Sequence, residues 1–139
     1  MEQDIDQDIL DGFLEESFEI SGKLRDYLDG FSQSGNTELF EHYGQNIDRI
    51  MGAAKSIGLV ELGDLCQLGK ELGYKASQVK DVHQQMSLQS HLSQLLKQMD
   101  KILKLLKKHK PEKDPETAPL LKKLTEVSKK LGNLRSSVS

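Results

Sequence analysis

Apolar residues recur at helical spacing along almost the whole chain, and this periodicity is the strongest constraint on the fold. The clearest example spans residues 39–57, where the large apolar residues share one helix face. They are Leu39, Phe40, Tyr43, Ile47, Ile50, Ala54 and Ile57. All prolines lie between Pro111 and Pro119, so long stretches are free of this helix breaker. No segment alternates apolar and polar residues as a strand does. The sequence therefore predicts an all-α fold.

Turn residues divide the pattern into five predicted helices. Their ranges are about 4 or 8 to 32, 37 to 57, 60 to 77, 81 to 108, and 115 to 135. The predicted N-caps are Asn36 or Thr37 for the second helix, Asp81 for the fourth and Asp114 for the fifth. Short links predict one antiparallel helical bundle over residues 1–139, with a frayed tail at 136–139.

The second predicted helix also has a polar face with glycines in it. That face consists of Glu41, Gly44, Gln45, Asp48, Gly52 and Lys55. A glycine on an exposed helix face costs roughly 1 kcal/mol relative to alanine. We interpret the two glycines as sites where another surface can approach the backbone closely.

Charge is distributed unevenly along the chain, although the net charge is only −3. Residues 1–32 are rich in Asp and Glu and carry only Lys23 and Arg25 as cations, whereas residues 97–135 are rich in lysine. The favoured interpretation is that the acidic and basic segments pack next to each other and complement one another. The alternative is a surface for an oppositely charged partner.

The remaining composition bears on the compartment. A single cysteine, Cys66, excludes an intramolecular disulfide, and its place among leucines at helical spacing predicts a small buried side chain. No apolar run approaches the ~20 residues that span a bilayer, and no signal peptide opens the chain. The sequence therefore predicts a cytoplasmic protein.

The stretch from Asn46 to Leu62 resembles the phosphorylation-site helix of histidine phosphotransfer (HPt) domains. The resemblance is strongest to the N-terminal phosphotransfer domain of chemotaxis histidine kinases. That family has a histidine, two residues, lysine, glycine, five further residues, a second glycine and then an apolar helix. Here Gly52 and Gly58 match the two glycines of that pattern. The resemblance implies an antiparallel four-helix bundle with an additional fifth helix.

Three positions that carry the family's histidine chemistry are changed. Asp48 occupies the place of the phosphoacceptor histidine, and Met51 that of the lysine. Counting along without gaps puts Lys70 where the family has a glutamate that orients the histidine ring. We therefore expect an Asp48–Lys70 ion pair in place of the histidine–glutamate pair.

The changed positions argue against phosphotransfer. That reaction needs an exposed, nucleophilic imidazole, and Asp48 cannot supply one. The histidines of the chain are His42, His83, His91 and His109. None has a Lys-Gly context, so we interpret each as solvated or half-buried. Metal-ligand spacings, phosphate-binding loops and catalytic triads are not recognisable either. We expect no enzyme, no cofactor and no metal site.

The resemblance implies a pseudo-phosphotransfer protein of bacterial two-component signalling. Its expected partner is the receiver domain of a response regulator or a histidine kinase, which it would sequester, scaffold or localise. The expected docking face comprises Gly44, Gln45, Asp48, Arg49, Met51, Gly52 and Lys55, and the expected state is a monomer. Two alternatives stay open: a helical adaptor unrelated to phosphorelay, and a basic helical hairpin over residues 97–130 that binds nucleic acid or an anionic membrane.

Overall fold

The computed structural model describes residues 5–138 and the side chains of residues 5–132. The described chain forms five helices and no strand, which confirms the all-α prediction. The helices are α1 (Gln7–Ser34), α2 (Glu38–Ser56), α3 (Val60–Gln78), α4 (Val82–Lys107) and α5 (Thr117–Val138). Asp4, the earlier predicted start of α1, lies outside the described residues. Of the tail predicted to fray, residues 136–138 are helical, and residue 139 lies outside the described residues.

Short polar side chains begin most of the helices, as the sequence predicts. The Asp81 carboxylate accepts a hydrogen bond from the Gln84 backbone N–H at 2.9 Å and caps α4. At the start of α2, the Asn36 side-chain oxygen accepts a hydrogen bond from the Glu38 N–H at 3.0 Å. Thr37 occupies the N-cap position without a side-chain bond.

Asp114 bridges α4 and the start of α5. Its carboxylate accepts from the Glu116 N–H at 2.9 Å and from the Gln98 amide of α4 at 3.0 Å. These two hydrogen bonds, Gln98 first, lower the pKa of the Asp114 carboxyl. Because α5 begins at Thr117 and not at the predicted residue 115, Asp114 stabilises the turn before the helix and joins the α4–α5 link to α4.

The start of α3 is capped from a distant part of the chain. Leu59, at its N-cap position, has no side chain that can accept a hydrogen bond. The buried carboxylate of Glu112, in the α4–α5 link, accepts instead from the N–H groups of Glu61 at 3.2 Å and Leu62 at 3.0 Å. This contact fixes the link against the beginning of α3.

The core lies between helices that contact one another in defined pairs. The pairs are α1 with α2 and α4, α3 with α2, α4 and α5, and α4 with α5. Tyr43 of α2 is fully buried, and its hydroxyl donates to the Leu92 carbonyl of α4 at 3.1 Å. Cys66 is buried as predicted, and burial raises the pKa of its thiol above the ordinary value.

The end of α4 provides a stability prediction. His109 follows the C-cap with a backbone φ of 60°, in the left-handed region that glycine adopts most easily. The N–H groups of Lys110 and His109 bond to the Leu105 and Leu106 carbonyls, both at 3.0 Å, and hold this geometry. We expect His109→Gly to raise the free energy of unfolding by about 0.5–1 kcal/mol, measured by urea denaturation. The control is Lys108→Gly, at a neighbouring residue with a φ of −88°, which should lower the free energy of unfolding. A loss of stability in His109→Gly would contradict the prediction.

Candidate functional site

The predicted docking region lies on α2, at the surface between α1 and α3. At its centre the Asp48 carboxylate of α2 lies 3.0 Å from the Lys70 ammonium of α3. The side chains are 42% and 34% exposed, so solvent reaches both charges. The ion pair between Asp48 and Lys70 that the sequence predicts is therefore present. A pair this exposed contributes at most about 1 kcal/mol to stability.

Two further contacts hold the edges of this surface. Towards α1, the Arg49 guanidinium lies 2.7 Å from the Glu16 carboxylate. Towards α3, the Lys55 ammonium donates to the Gln67 side-chain oxygen at 2.6 Å. The polar strip of α2 is thus connected by side chains to both neighbouring helices.

The other predicted docking residues differ in exposure. Gln45 and Gly52 are exposed, as are Arg49 and Lys55. Met51 is half-buried and packs against the hydrophobic core, so only part of its side chain reaches the surface. A Cβ added to Gly52 would meet no atom within 4 Å. The surface around Gly52 is therefore open to an approaching molecule.

The prediction that Gly44 lies on the exposed face of α2 is wrong, because this residue is buried. A Cβ there would lie 3.3 Å from the Lys70 carbonyl oxygen and 3.5 Å from the Tyr74 ring. Directly opposite, a Cβ on Gly73 would lie 2.9 Å from the Phe40 carbonyl oxygen and 3.1 Å from the Gly44 nitrogen. Gly44 and Gly73 thus let the α2 and α3 backbones touch, and Gly44 cannot contact a partner.

Close packing explains the other glycines of α3 as well. A Cβ on Gly63 would lie 2.8 Å from the Lys55 side chain, and one on Gly69 would lie 2.7 Å from Ile47. Gly63 and Gly69 thus let α3 pack closely against α2. Gly52 has no such contact, so helix packing does not account for the glycine at this position.

The histidines lie in the environments that the sequence analysis assigned to them. His42, His83 and His109 are exposed, and the His42 ring packs 5.7 Å from the Tyr27 ring. His91 is half-buried, and its buried Nδ1 atom has no hydrogen-bond partner among the described residues. Burial, and then the nearby Lys123 ammonium, lower the pKa of His91.

Over residues 5–132, no group of three or more His, Cys, Asp or Glu side chains is arranged to hold a metal ion. Within the helices that the structure describes, none has the length and apolarity needed to cross a membrane. The chain matches no known protein family, no curated protein and no solved structure.

Proposed function

We propose that this protein is a pseudo-phosphotransfer protein, a helical domain of the HPt type that has lost its phosphoacceptor. It binds the receiver domain of a response regulator, or a histidine kinase, and acts as an adaptor, sequestering or localising factor. The observation that carries the proposal is the exposed contact between Asp48 and Lys70.

That contact supports the proposal because a carboxylate and an ammonium group meet where the resemblance places the histidine and glutamate of HPt domains. In HPt domains the acceptor histidine and its orienting glutamate come from two successive helices, and here Asp48 and Lys70 also come from successive helices. The Asp48 carboxylate contacts the Lys70 ammonium at 3.0 Å, and Asp48 offers no imidazole nitrogen that could accept a phosphoryl group. The protein would therefore bind without accepting phosphate, and we propose that it is not an enzyme.

The helix contacts support the HPt type of bundle. Each of α1 to α4 contacts the next, and α4 contacts α1, as in a closed ring of four helices. Over the described residues the fifth helix contacts α3 and α4 alone, as expected for an additional helix outside that ring. Contacts between α1 and α2 run from Glu16–Arg49 to Gly30–Leu39, so these two helices are antiparallel.

The docking face of the proposal excludes Gly44 and centres on Gly52. It consists of Gln45, Asp48, Arg49, Met51, Gly52 and Lys55. Glycine at position 52 costs about 1 kcal/mol of helix stability and gains no packing contact in return. A partner that approaches the α2 backbone would explain why a small residue occupies this position.

The phosphotransfer reaction tests the loss of the acceptor. We expect no labelled protein after incubation with an active phosphotransfer kinase and radiolabelled ATP, because Asp48 offers no imidazole. Asp48→His alone should not restore efficient transfer, because Met51 and Lys70 still replace the family's lysine and glutamate. A genuine HPt domain, labelled in parallel, is the positive control. Acid-labile phosphate on any histidine of the wild type would refute the proposal.

A second candidate function is binding of nucleic acid or an anionic membrane by residues 97–130. The observation in its favour is that Lys97, Lys104 and Lys108 of α4 are exposed. Lys101, however, lies within 3.4 Å of Asp114 and 3.3 Å of Glu116, which neutralises part of this basic surface. Binding that weakens steeply with salt would favour this candidate. An adaptor unrelated to phosphorelay would instead bind neither receiver domains nor kinases.

A further inference from the structure

The outer surface of α1 and α4 carries two stripes of opposite charge. The acidic stripe consists of the exposed residues Asp8, Asp11, Glu15, Glu19, Asp26 and Asp29 of α1. The basic stripe consists of the exposed residues Lys97, Lys101, Lys104 and Lys108 of α4. Each stripe lies on the side of its helix away from the buried residues, and α1 contacts α4, so the two stripes lie on neighbouring helices at the surface.

Specific contacts fix α1 beside α4 between these stripes. The Arg25 guanidinium of α1 lies 2.6 Å from the Asp100 carboxylate of α4, which also accepts from the Ser21 hydroxyl at 2.5 Å. Further along, the Lys107 ammonium lies 5.7 Å from the centre of the Phe18 ring. The adjacency of the two helices is therefore built into the fold.

The two stripes do not neutralise each other within one molecule. Among the side chains of residues 5–132, no ion pair joins the acidic stripe to the basic stripe. The α1 carboxylate that is paired, Glu16, contacts Arg49 of α2. Lys101 pairs with Asp114 and Glu116 beyond the end of α4. The acidic and basic segments are thus neighbours, as predicted from the sequence, but the charges of the two stripes other than Lys101 face solvent.

We propose that this α1–α4 face is the interface of a symmetric dimer of the protein. A two-fold axis parallel to the helices places the acidic stripe of each copy on the basic stripe of the other. A single dimer interface therefore pairs all four stripes. A nucleic acid or a membrane would match only the basic stripe and would be repelled by the acidic one. The net charge of −3 leaves little overall repulsion between two copies.

This inference does not depend on the proposed function. The docking face lies on the exposed side of α2, whereas the hydrogen bond from α2 to α4, Tyr43 to Leu92, is buried in the core. A dimer formed through α1 and α4 would therefore present two docking faces at once. This proposed dimer differs from the monomer predicted from the sequence.

Sedimentation equilibrium of the full chain is the first test. Salt screens exposed charges, with a Debye length of about 20 Å at ~20 mM and about 4 Å at ~500 mM, so the interface must depend on salt. We expect a dimer at the low salt concentration and a monomer at the high one. A wild-type monomer at low salt, up to a protein concentration of a few hundred micromolar, would overturn the proposal. Assemblies that grow beyond a dimer would contradict the two-fold interface.

Paired charge reversals are the second test. The variant E15K/E19K replaces two carboxylates of the acidic stripe with ammonium groups, and K97E/K104E replaces two ammonium groups of the basic stripe with carboxylates. Each variant loses attraction across its own dimer interface, so its dimer dissociation constant should rise at least about tenfold over the wild type. None of these four residues makes an ion pair or hydrogen bond with another described side chain, and circular dichroism melts verify folding. Mixing the two variants should restore a dimer that contains one copy of each. Unchanged self-association of the single variants, or failure of the mixture to associate, would overturn the proposal.

Discussion

Gly73→Ala should lower the free energy of unfolding by about 2 kcal/mol, even though alanine favours helices over glycine. The added Cβ would lie 2.9 Å from the Phe40 carbonyl oxygen and 3.1 Å from the Gly44 nitrogen. Both are backbone atoms, so no side-chain rotation can make room. The α2 and α3 helices would have to separate, which would loosen the packing around the buried Tyr43.

Gly52→Ala is the matched control for this prediction. It makes the same chemical change on the facing helix, but the added methyl group meets no atom within 4 Å. Its free energy of unfolding should rise by up to about 1 kcal/mol, because only helix propensity changes. Urea denaturation followed by circular dichroism measures both variants. Equal or greater stability in Gly73→Ala would mean that the two backbones do not touch.

Local pattern was enough to predict the helices and much of the core. Helix periodicity depends on residues three and four apart, so the range of α3 and the burial of Cys66 can be predicted without knowing its neighbours. Likewise, Asp81 caps the helix that directly follows it. The contact of Asp48 with Lys70 joins two successive helices, and it was expected only through the resemblance to HPt domains.

Features that depend on distant contacts could not be predicted in this way. Gly44 has no side chain to indicate polarity, and only the approach of Gly73 decides that it is buried. Glu112 lies in a polar, proline-containing link, where an acidic residue normally faces water. The Glu112 carboxylate is buried because it accepts hydrogen bonds from the start of α3, which has no N-cap side chain of its own. Nothing near Glu112 in the sequence indicates this contact. The ion pair of Arg49 with Glu16 also joins two helices, and no local pattern in the sequence predicts it.

The largest functional effect is expected from Gly52→Arg. If α2 docks a receiver domain or a kinase around Gly52, an arginine side chain at the centre of that contact should weaken binding at least about 100-fold. Folding should be preserved, because Gly52 is exposed, has open space around it and gains helix propensity as arginine. Loss of binding in this variant would therefore be a loss of contact and not of structure.

Two control variants distinguish docking on α2 from binding by the basic surface of residues 97–130. Gly52→Ala adds only a methyl group at the same position and should retain most of the affinity. Lys122→Glu reverses an exposed charge on α5, which has no helix–helix contact with α2 in the part of the chain that the structure describes, and should leave binding unchanged. If Lys122→Glu weakens binding as much as Gly52→Arg does, the basic surface is the binding site.

The most direct test measures affinity and melting temperature for the same variants. Purified receiver domains and histidine kinases from the source organism would be titrated with wild type, Gly52→Ala, Gly52→Arg and Lys122→Glu. The proposed function predicts that at least one of these domains binds the wild type, and that Gly52→Arg loses this binding while melting at or above the wild-type temperature. Binding of none of them by the wild type, or undiminished binding by Gly52→Arg, would contradict it.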